Sequence, residues 1–359
     1  LIPRDCAFVL VPAIRHTAHT PRAAVCQPVG VHQRKSCSQI FTSSSTNSNM
    51  DKPSAFKIAF IGLANLGETL CNSLVSKGFH VTVTDLRKDN AQRLLNAGAH
   101  WADDVAGVCK VANLVITALP SVAASRKVVE GPGGVFEHLA PGGIWIEMST
   151  TDLNDLQRLQ DVAKAKGIDV LECPVTGGVH LAHSGQITVL VGGEQAIYDR
   201  VAPVLQAMGG EIIYMGKLGN ASVVKVVTNM LAFIHLVAAG EAMMLPAKYG
   251  VDPDATWRAI RASSGNSFVH ETESKLVLSG SYNVKFTMDL ACKDLGLVNA
   301  IAEKLGVPIE LGSHTQQIFR RARGLFGSEA QSPEVVRMIE QACGLELRAP
   351  GYPSELVAE

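Results

Sequence analysis

The chain has 359 residues, 47% hydrophobic and 18% charged, enough for a sizeable core and for more than one domain. Lys and Arg number 32 against 33 Asp and Glu, for a net charge of -1, and aromatics make up 5%. That balance argues against a nucleic-acid or membrane surface and against base stacking as a binding mode.

Residues 1–49 hold one acid, Asp5, against Arg4, Arg15, Arg22, Arg34 and Lys35, and they end in a hydroxyl-rich run over Phe41–Thr46. Basic, acid-poor and hydroxyl-rich is the composition of an organelle transit peptide. The other reading is that they are untranslated, because the first methionine, Met50, stands immediately before Asp51. The first reading implies a mitochondrial or other organellar location, the second a cytoplasmic one. Either way residues 1–54 are expected outside the fold.

Lys57–Ile61 is a short apolar run ending at Gly62, which suits a buried parallel strand. Helical spacing follows over Asn65–Lys77 through Leu66, Leu70 and Leu74. A strand is expected at His80–Thr84, a helix at Ala91–Ala97, and further strands at Leu114–Ala118, Gly143–Glu147, Ile168–Leu171, Ile187–Val191 and Glu211–Tyr214. Strands alternating with helices over about 150 residues predict an α/β, Rossmann-type doubly wound parallel sheet.

From Gly219 onward the patterning is helical, over Ser222–Tyr249, Pro253–Ser263, Phe286–Lys304, Pro308–Leu325 and Pro333–Cys343. The expected organisation is a dinucleotide-binding domain over 55–218, an all-helical C-terminal domain over 219–348 and a tail over 349–359. The most apolar stretch, Val226–Leu245, carries Thr228, Asn229, His235 and Glu241, so it reads as a long buried helix rather than a bilayer span. The 8 cysteines are scattered with no Cys-x-x-Cys pair, so neither a disulfide framework nor a structural zinc site is expected.

Gly62-Leu63-Ala64-Asn65-Leu66-Gly67 follows a strand and opens a helix, the context in which a glycine motif signals a dinucleotide. Gly62 allows a tight turn, a small residue at 64 lets the backbone approach a pyrophosphate, and Gly67 lets the helix pack closely with its N-terminus toward the charge. Ala64 adds one methyl where glycine is usual. Asp85 ends the second strand, where an acid hydrogen-bonds ribose hydroxyls and repels a 2′-phosphate, so NAD is the expected cofactor. Arg87 and Lys88 lie beside it and leave NADP open. Against this stands the reading in which Asp85 only caps the next helix.

Thr176-Gly177-Gly178 follows another strand and exposes several backbone N–H groups beside a hydroxyl, a nest that can hold a carboxylate. Lys225 and Asn229 are four apart on the joining helix and share a face, among Val223, Val224, Val226, Val227 and Leu231. A lysine buried there loses hydration, and its pKa falls toward about 7–8, where it exchanges a proton with an alcohol near neutral pH. The alternative is a lysine that snorkels to solvent.

Together these residues resemble the β-hydroxyacid dehydrogenase family, especially its 3-hydroxyisobutyrate dehydrogenase-like members. The matching pieces are Gly62-x-Ala64-x-x-Gly67, Met148-Ser149-Thr150, Pro174-Val-Thr-Gly-Gly178 with Gly185 beyond it, Gly219 with Lys225-x-x-x-Asn229, and Lys293-Asp294-Leu295. The resemblance implies hydride transfer between NAD and a small 3-hydroxy acid or its semialdehyde. Lys225 would be the acid/base and Asn229 its helper. Thr176, Gly177 and Gly178 would hold the substrate carboxylate. Leu119, Pro120 and Thr150 would line the nicotinamide side, and Lys293 would reach back from the helical domain to cofactor or substrate. Ala64 and Ala221 stand where the family usually has glycine. A 6-phosphogluconate dehydrogenase is rejected, because those enzymes place His before the Asn where this chain has Thr228.

The rival readings are an NADPH-linked reductase of glyoxylate, succinic semialdehyde or tartronate semialdehyde, an imine reductase, and a non-catalytic dinucleotide-binding module; Lys225 argues against the last two. His180 and His183 form His-x-x-His, but no further ligands accompany them and no metal is expected. An apolar helical domain suggests a homodimer or homotetramer.

Overall fold

The computed structural model describes residues 55–64 and 66–357; the segment over 1–49, with Cys6, Cys26 and Cys37, and Asn65 of the glycine turn lie outside the described residues. The strands are β1 Lys57–Ile61, β2 His80–Thr84, β3 His100–Trp101, β4 Leu114–Thr117, β5 Ile144–Glu147, β6 Asp169–Glu172, β7 Val175–Thr176, β8 Thr188–Gly193 and β9 Glu211–Gly216. They form one sheet in the order β3-β2-β1-β4-β5-β6-β8-β7, with β9 also paired to β8. The helices α1 Leu66–Ser76, α2 Gln92–Asn96, α3 Val105–Lys110, α4 Val122–Glu130, α5 Val135–His138, α6 Leu153–Ala165, α7 Val179–His183 and α8 Gln195–Met208 connect the strands. Then come α9 Asn220–Tyr249, α10 Pro253–Arg261, α11 Phe268–Ser279, α12 Met288–Leu305, α13 Glu310–Phe326 and α14 Arg337–Cys343, with no strand among them.

Successive residues of a strand point to opposite faces. Ile58 and Phe60 of β1 accordingly join an apolar cluster with Leu70, Leu74 and Val83, while Ala59 and Ile61 join another with Val115, Trp145 and Leu156. Helices cover both faces, which is why the strand reads as an unbroken apolar run. Trp145 is fully buried, and its indole N–H donates to Thr117 Oγ1 at 2.9 Å, so the largest core side chain leaves no unpaired donor.

The sheet departs from the all-parallel expectation at one edge. From β3 to β6 every pairing is parallel, but β8 runs antiparallel to β6 and β7, and β9 returns parallel to β8. The segment between β6 and β8 holds only the short β7 and the five-residue α7, less than a parallel crossover ordinarily needs.

The helical lobe has its own core, built by Phe233, Leu236, Met243, Trp257, Leu295 and Phe319. Its helix α11 has no counterpart in the apolar pattern, because His270 and Ser274 occupy buried positions on it. His270 Nε2 lies 3.0 Å from the Trp257 carbonyl, so a polar residue substitutes for the expected hydrophobe.

The 30-residue α9 begins after Gly219, whose φ of +99° is the left-handed conformation glycine tolerates, and it runs roughly 45 Å into the helical lobe. It packs on β7, β8 and β9 near its start and on α10, α11, α12 and α13 further along. It is long and apolar enough to cross a bilayer by length and composition, yet 33% of its most apolar window is buried. The expectation of a helix buried all round is therefore corrected for the single chain: Val227 and Leu231 are 42% and 49% exposed, and Leu245 and Tyr249 more so. Among the described residues, α10–α14 pack on α9 and leave these apolar side chains exposed.

Candidate active site

The glycine turn closes on itself and on β4. A Cβ at Gly62 would lie 2.4 Å from the Ala118 carbonyl oxygen, and one at Gly67 only 2.0 Å from that of Gly62. Gly62 also has φ +94°, so both positions exclude any side chain. Leu63 is buried, Ala64 is exposed at the tip, Leu66 is half-buried and starts α1, and the Gly67 N–H donates to the Ala64 carbonyl at 2.9 Å. The crowded turn holds the start of α1 against the strand, the arrangement that brings backbone N–H groups and a helix N-terminus to a pyrophosphate. The residues present therefore fit a dinucleotide.

Asp85 is tied into this turn. Its Oδ2 accepts from the Leu63 N–H at 2.7 Å, and its Oδ1 accepts from the Arg87 N–H and Asn90 Nδ2, both at 2.9 Å. Beside it lies a cleft of about 350 Å³ whose walls include Leu63, Ala64, Arg87, Asn90, His183 and Lys285. Lys225 is not on those walls; the cleft belongs to the phosphate turn rather than to the lysine.

A second group of loops ends β4 and β5. The Leu119 N–H donates to Ser149 Oγ at 2.8 Å, and the Ser149 N–H donates to Glu147 Oε1 at 2.8 Å. Ser125 Oγ donates to the other Glu147 oxygen, so a buried carboxylate orders both loops. Burial pushes the Glu147 pKa up while the serine donors oppose it. Leu119 and Thr150 are half-buried and Pro120 is exposed. Lys293 of α12 crosses from the helical lobe and donates to the Thr150 carbonyl at 3.1 Å.

Lys225 is 9% exposed, on the first turns of α9. Its Nζ donates to Asn229 Oδ1 at 2.8 Å, and Asn229 Nδ2 donates to Asp294 Oδ2 at 2.6 Å. The other Asp294 oxygen lies 3.2 Å from the Lys293 ammonium. Burial lowers the Lys225 pKa to about 8, Asp294 working against that shift and Lys293 with it. The ammonium is thus neither snorkelled nor solvated but held in a chain of side chains from both α9 and α12.

Thr176 is half-buried at the end of β7, followed by Gly177 and the exposed Gly178 with φ of +118° and +89°. Two successive left-handed glycines turn the backbone sharply before α7. His180 stacks on Phe268 with ring centroids 6.2 Å apart, and burial lowers its pKa. Among the described residues no group of three or more His, Cys, Asp or Glu could hold a metal ion.

In the sequence Asp294 figures only as a member of the Lys293-Asp294-Leu295 motif, without a role of its own, and Glu147 and Glu172 have none. A signal for Asp294 existed: it shares the helical face of Met288, Ala291, Leu295 and Val298, and an acid on an apolar stripe calls for a partner. Glu147 and Glu172 each end an apolar strand, the position from which a side chain reaches the loops beyond.

Comparison with known proteins fits this geometry. Residues 57–216 match the family model described as the NAD binding domain of 6-phosphogluconate dehydrogenase, and residues 219–339 that described as the NAD-binding of NADP-dependent 3-hydroxyisobutyrate dehydrogenase. The protein is an NAD(P)-dependent oxidoreductase of small hydroxy acids. It is 31% identical over 294 residues to a 2-(hydroxymethyl)glutarate dehydrogenase of Eubacterium barkeri, covering 82% of this chain and 98% of that one. With a probable mitochondrial 3-hydroxyisobutyrate dehydrogenase of Dictyostelium discoideum it shares 32% over 277 residues, 75% of this chain and 86% of that one. A solved 3-hydroxyisobutyrate dehydrogenase from Salmonella typhimurium superposes with a TM-score of 0.73 at 28% identity, over 78% of this chain and 99% of that one. The chain belongs to the β-hydroxyacid dehydrogenase family.

Proposed function

We propose that the protein oxidises a 3-hydroxyisobutyrate-like 3-hydroxy acid to its semialdehyde with NAD, and that Lys225 exchanges the hydroxyl proton. The observation that carries this reading is the desolvated Lys225 ammonium, at a pKa of about 8, held by Asn229 and, through it, by Asp294. Near neutral pH such a group gives up and regains a proton readily.

When bound, a nicotinamide coenzyme would supply the hydride chemistry in both directions. The chain supplies the rest. Gly62–Gly67 and Asp85 seat the dinucleotide, with Asn65 among the turn residues. Leu119, Pro120 and Thr150 border its nicotinamide end, where Lys293 fixes Thr150. The N–H groups of Gly177 and Gly178 and the Thr176 hydroxyl hold the substrate carboxylate. Neutral Lys225 takes the hydroxyl proton as the C–H bond breaks, Asn229 keeps its Nζ aimed, and in reduction the ammonium returns the proton to the forming alkoxide. Position and proton management are the protein's contribution.

The test is Lys225→Ala, assayed with NAD and 3-hydroxyisobutyrate: turnover is expected to vanish while NADH binding persists, and retained turnover refutes the role. Asp85 supports NAD over NADP, because its carboxylate would face a 2′-phosphate. Arg87, His183 and Lys285 around the cleft support the second reading, an NADPH-linked semialdehyde reductase; initial rates with NADH and NADPH separate the two. A second copy of this chain is the proposed cover for the exposed stripe of α9 at Val227, Leu231 and Leu245, giving a homodimer or a larger even oligomer. Sedimentation as a monomer at micromolar concentration would remove that proposal. Residues 1–49 have transit-peptide composition and the Dictyostelium relative is named mitochondrial, which supports import into that organelle.

A further inference from the structure

The N-terminus of α9 is capped from far away. Gly219 offers no side chain to its helix, although the first N–H groups of a helix need acceptors. They find them in Glu172, the last residue of β6. Glu172 Oε1 accepts from the Gly219 N–H at 2.5 Å and the Ala221 N–H at 3.0 Å, and Oε2 accepts from the Ser222 N–H at 3.0 Å and from the Ser222 hydroxyl. Each donor belongs to the cap or the first turn of α9. Glu172 is 1% exposed; burial pushes its pKa up, while the hydrogen bonds from Ser222, Gly219 and Ala221 oppose that shift, and it sits at the positive end of the helix dipole. Space has been left for it: a Cβ on Gly192 of the neighbouring β8 would lie 2.2 Å from Glu172 Oε1.

The placement of this carboxylate joins two parts of the site. In the chain, Cys173-Pro174-Val175 alone separates Glu172 from Thr176 and the glycines beyond. In space, Glu172 holds Ser222, which lies three residues before Lys225 and on the same helical face. The loop proposed to hold the substrate carboxylate and the helix that carries the lysine therefore share one anchor. Several hydrogen bonds to one rigid carboxylate fix both the rotation and the axial position of α9, and the lysine Nζ inherits that setting.

We infer that Glu172 is a positioning residue for the reaction: it sets Lys225 against the substrate loop, beyond any contribution it makes to folding. This rests on the reading of Lys225 as the proton-transfer group.

The experiment compares Glu172→Gln, Glu172→Asp, Ser222→Ala and Lys225→Ala in the full chain. Readouts are kcat, KM for 3-hydroxyisobutyrate, the primary isotope effect with carbinol-deuterated substrate, NADH binding by fluorescence and the melting temperature. In Glu172→Gln the amide N–H₂ confronts helix N–H donors. Its kcat is expected to fall about 10- to 100-fold, as an ångström-scale displacement of a reacting group does. The isotope effect should rise as hydride transfer becomes limiting, with NADH affinity unchanged. Glu172→Asp keeps the charge and is expected to recover part of kcat. A Glu172→Gln protein that melts early but turns over at the parent rate per folded molecule makes Glu172 a structural cap and overturns the inference. If Glu172→Gln does not fold, Ser222→Ala decides: a lower kcat with a higher isotope effect supports the inference, and parent values of both overturn it. Full activity in Lys225→Ala defeats the proton-transfer reading and this inference with it; an inactive Lys225→Ala beside an unimpaired Glu172→Gln defeats this inference alone.

Discussion

Glu147 and Glu172 are register partners on the neighbouring parallel strands β5 and β6, and both carboxylates are buried. They do not share a task. Glu147 gathers Ser125 and Ser149 and so orders the loops proposed for the nicotinamide side, whereas Glu172 gathers the first turn of α9. The C-terminal edge of a parallel sheet is where α/β proteins bind ligands, and here two adjacent acids divide that edge between the loops proposed to border the coenzyme and the helix proposed to carry the proton-transfer lysine.

The division predicts distinct kinetic phenotypes. Glu147→Gln replaces the acceptor of the Ser149 N–H and should loosen the Ser149 and Leu119 loops. The expected result is a KM for NAD raised about 10-fold, the effect of losing about 1.5 kcal/mol from a hydrogen bond to a charged group, with a smaller fall in kcat. Steady-state kinetics at saturating hydroxy acid checks this; an unchanged KM for NAD contradicts it.

The pH dependence follows from Lys225. In the proposed mechanism oxidation needs the neutral amine, so kcat/KM for the hydroxy acid should rise with pH and level off above about 8, while reduction, which needs the ammonium, should decline there. Asp294 holds the Lys225 pKa up, so Asp294→Asn should move this limb to lower pH as well as slow turnover. A pH–rate profile with no inflection between about 7 and 9 is incompatible with lysine as the base.

Burying Lys225 also costs stability. Its pKa falls from 10.5 to about 8 on folding, so below about 8 the folded protein keeps a charge in a poorly hydrated place. Between those two values the unfolded chain binds more protons, and stability rises with pH as the penalty is relieved. Lys225→Met should therefore raise the unfolding free energy at pH 7 by about 1–3 kcal/mol, Asn229 Oδ1, which loses its donor, taking back part of the gain. Urea unfolding at pH 7 and at pH 10 measures it; a less stable Met variant at pH 7 speaks against the burial penalty.

Gly67 admits no side chain, since a Cβ there would lie 2.0 Å from the Gly62 carbonyl oxygen. Gly67→Ala should force α1 away from the turn and weaken NADH binding by about tenfold or more, at a stability cost of about 1–3 kcal/mol. Fluorescence titration with NADH decides, and parent affinity would mean that the turn does not seat the coenzyme.

Much of this protein is legible in its sequence because the relevant relationships are local. The run Lys57–Ile61, the turn Gly62–Gly67 and the acid at Asp85 follow from strand and turn geometry. Lys225 and Asn229 meet because a helix brings every fourth residue to one face. Other relationships depend on docking. Nothing in the neighbourhood of Asn229 announces that Asp294 will hydrogen-bond it, or that Lys293 will reach Thr150 across the lobes. Helix α11 is not legible in the apolar pattern because its buried face carries His270 and Ser274. The antiparallel β8 followed from how little chain separates it from β6. Backbone periodicity is a property of a few consecutive residues and can be read directly. Desolvation, and the partner a buried charge finds, exist only once distant segments have packed, and on these depends whether Lys225 is an ordinary lysine or a base near neutral pH.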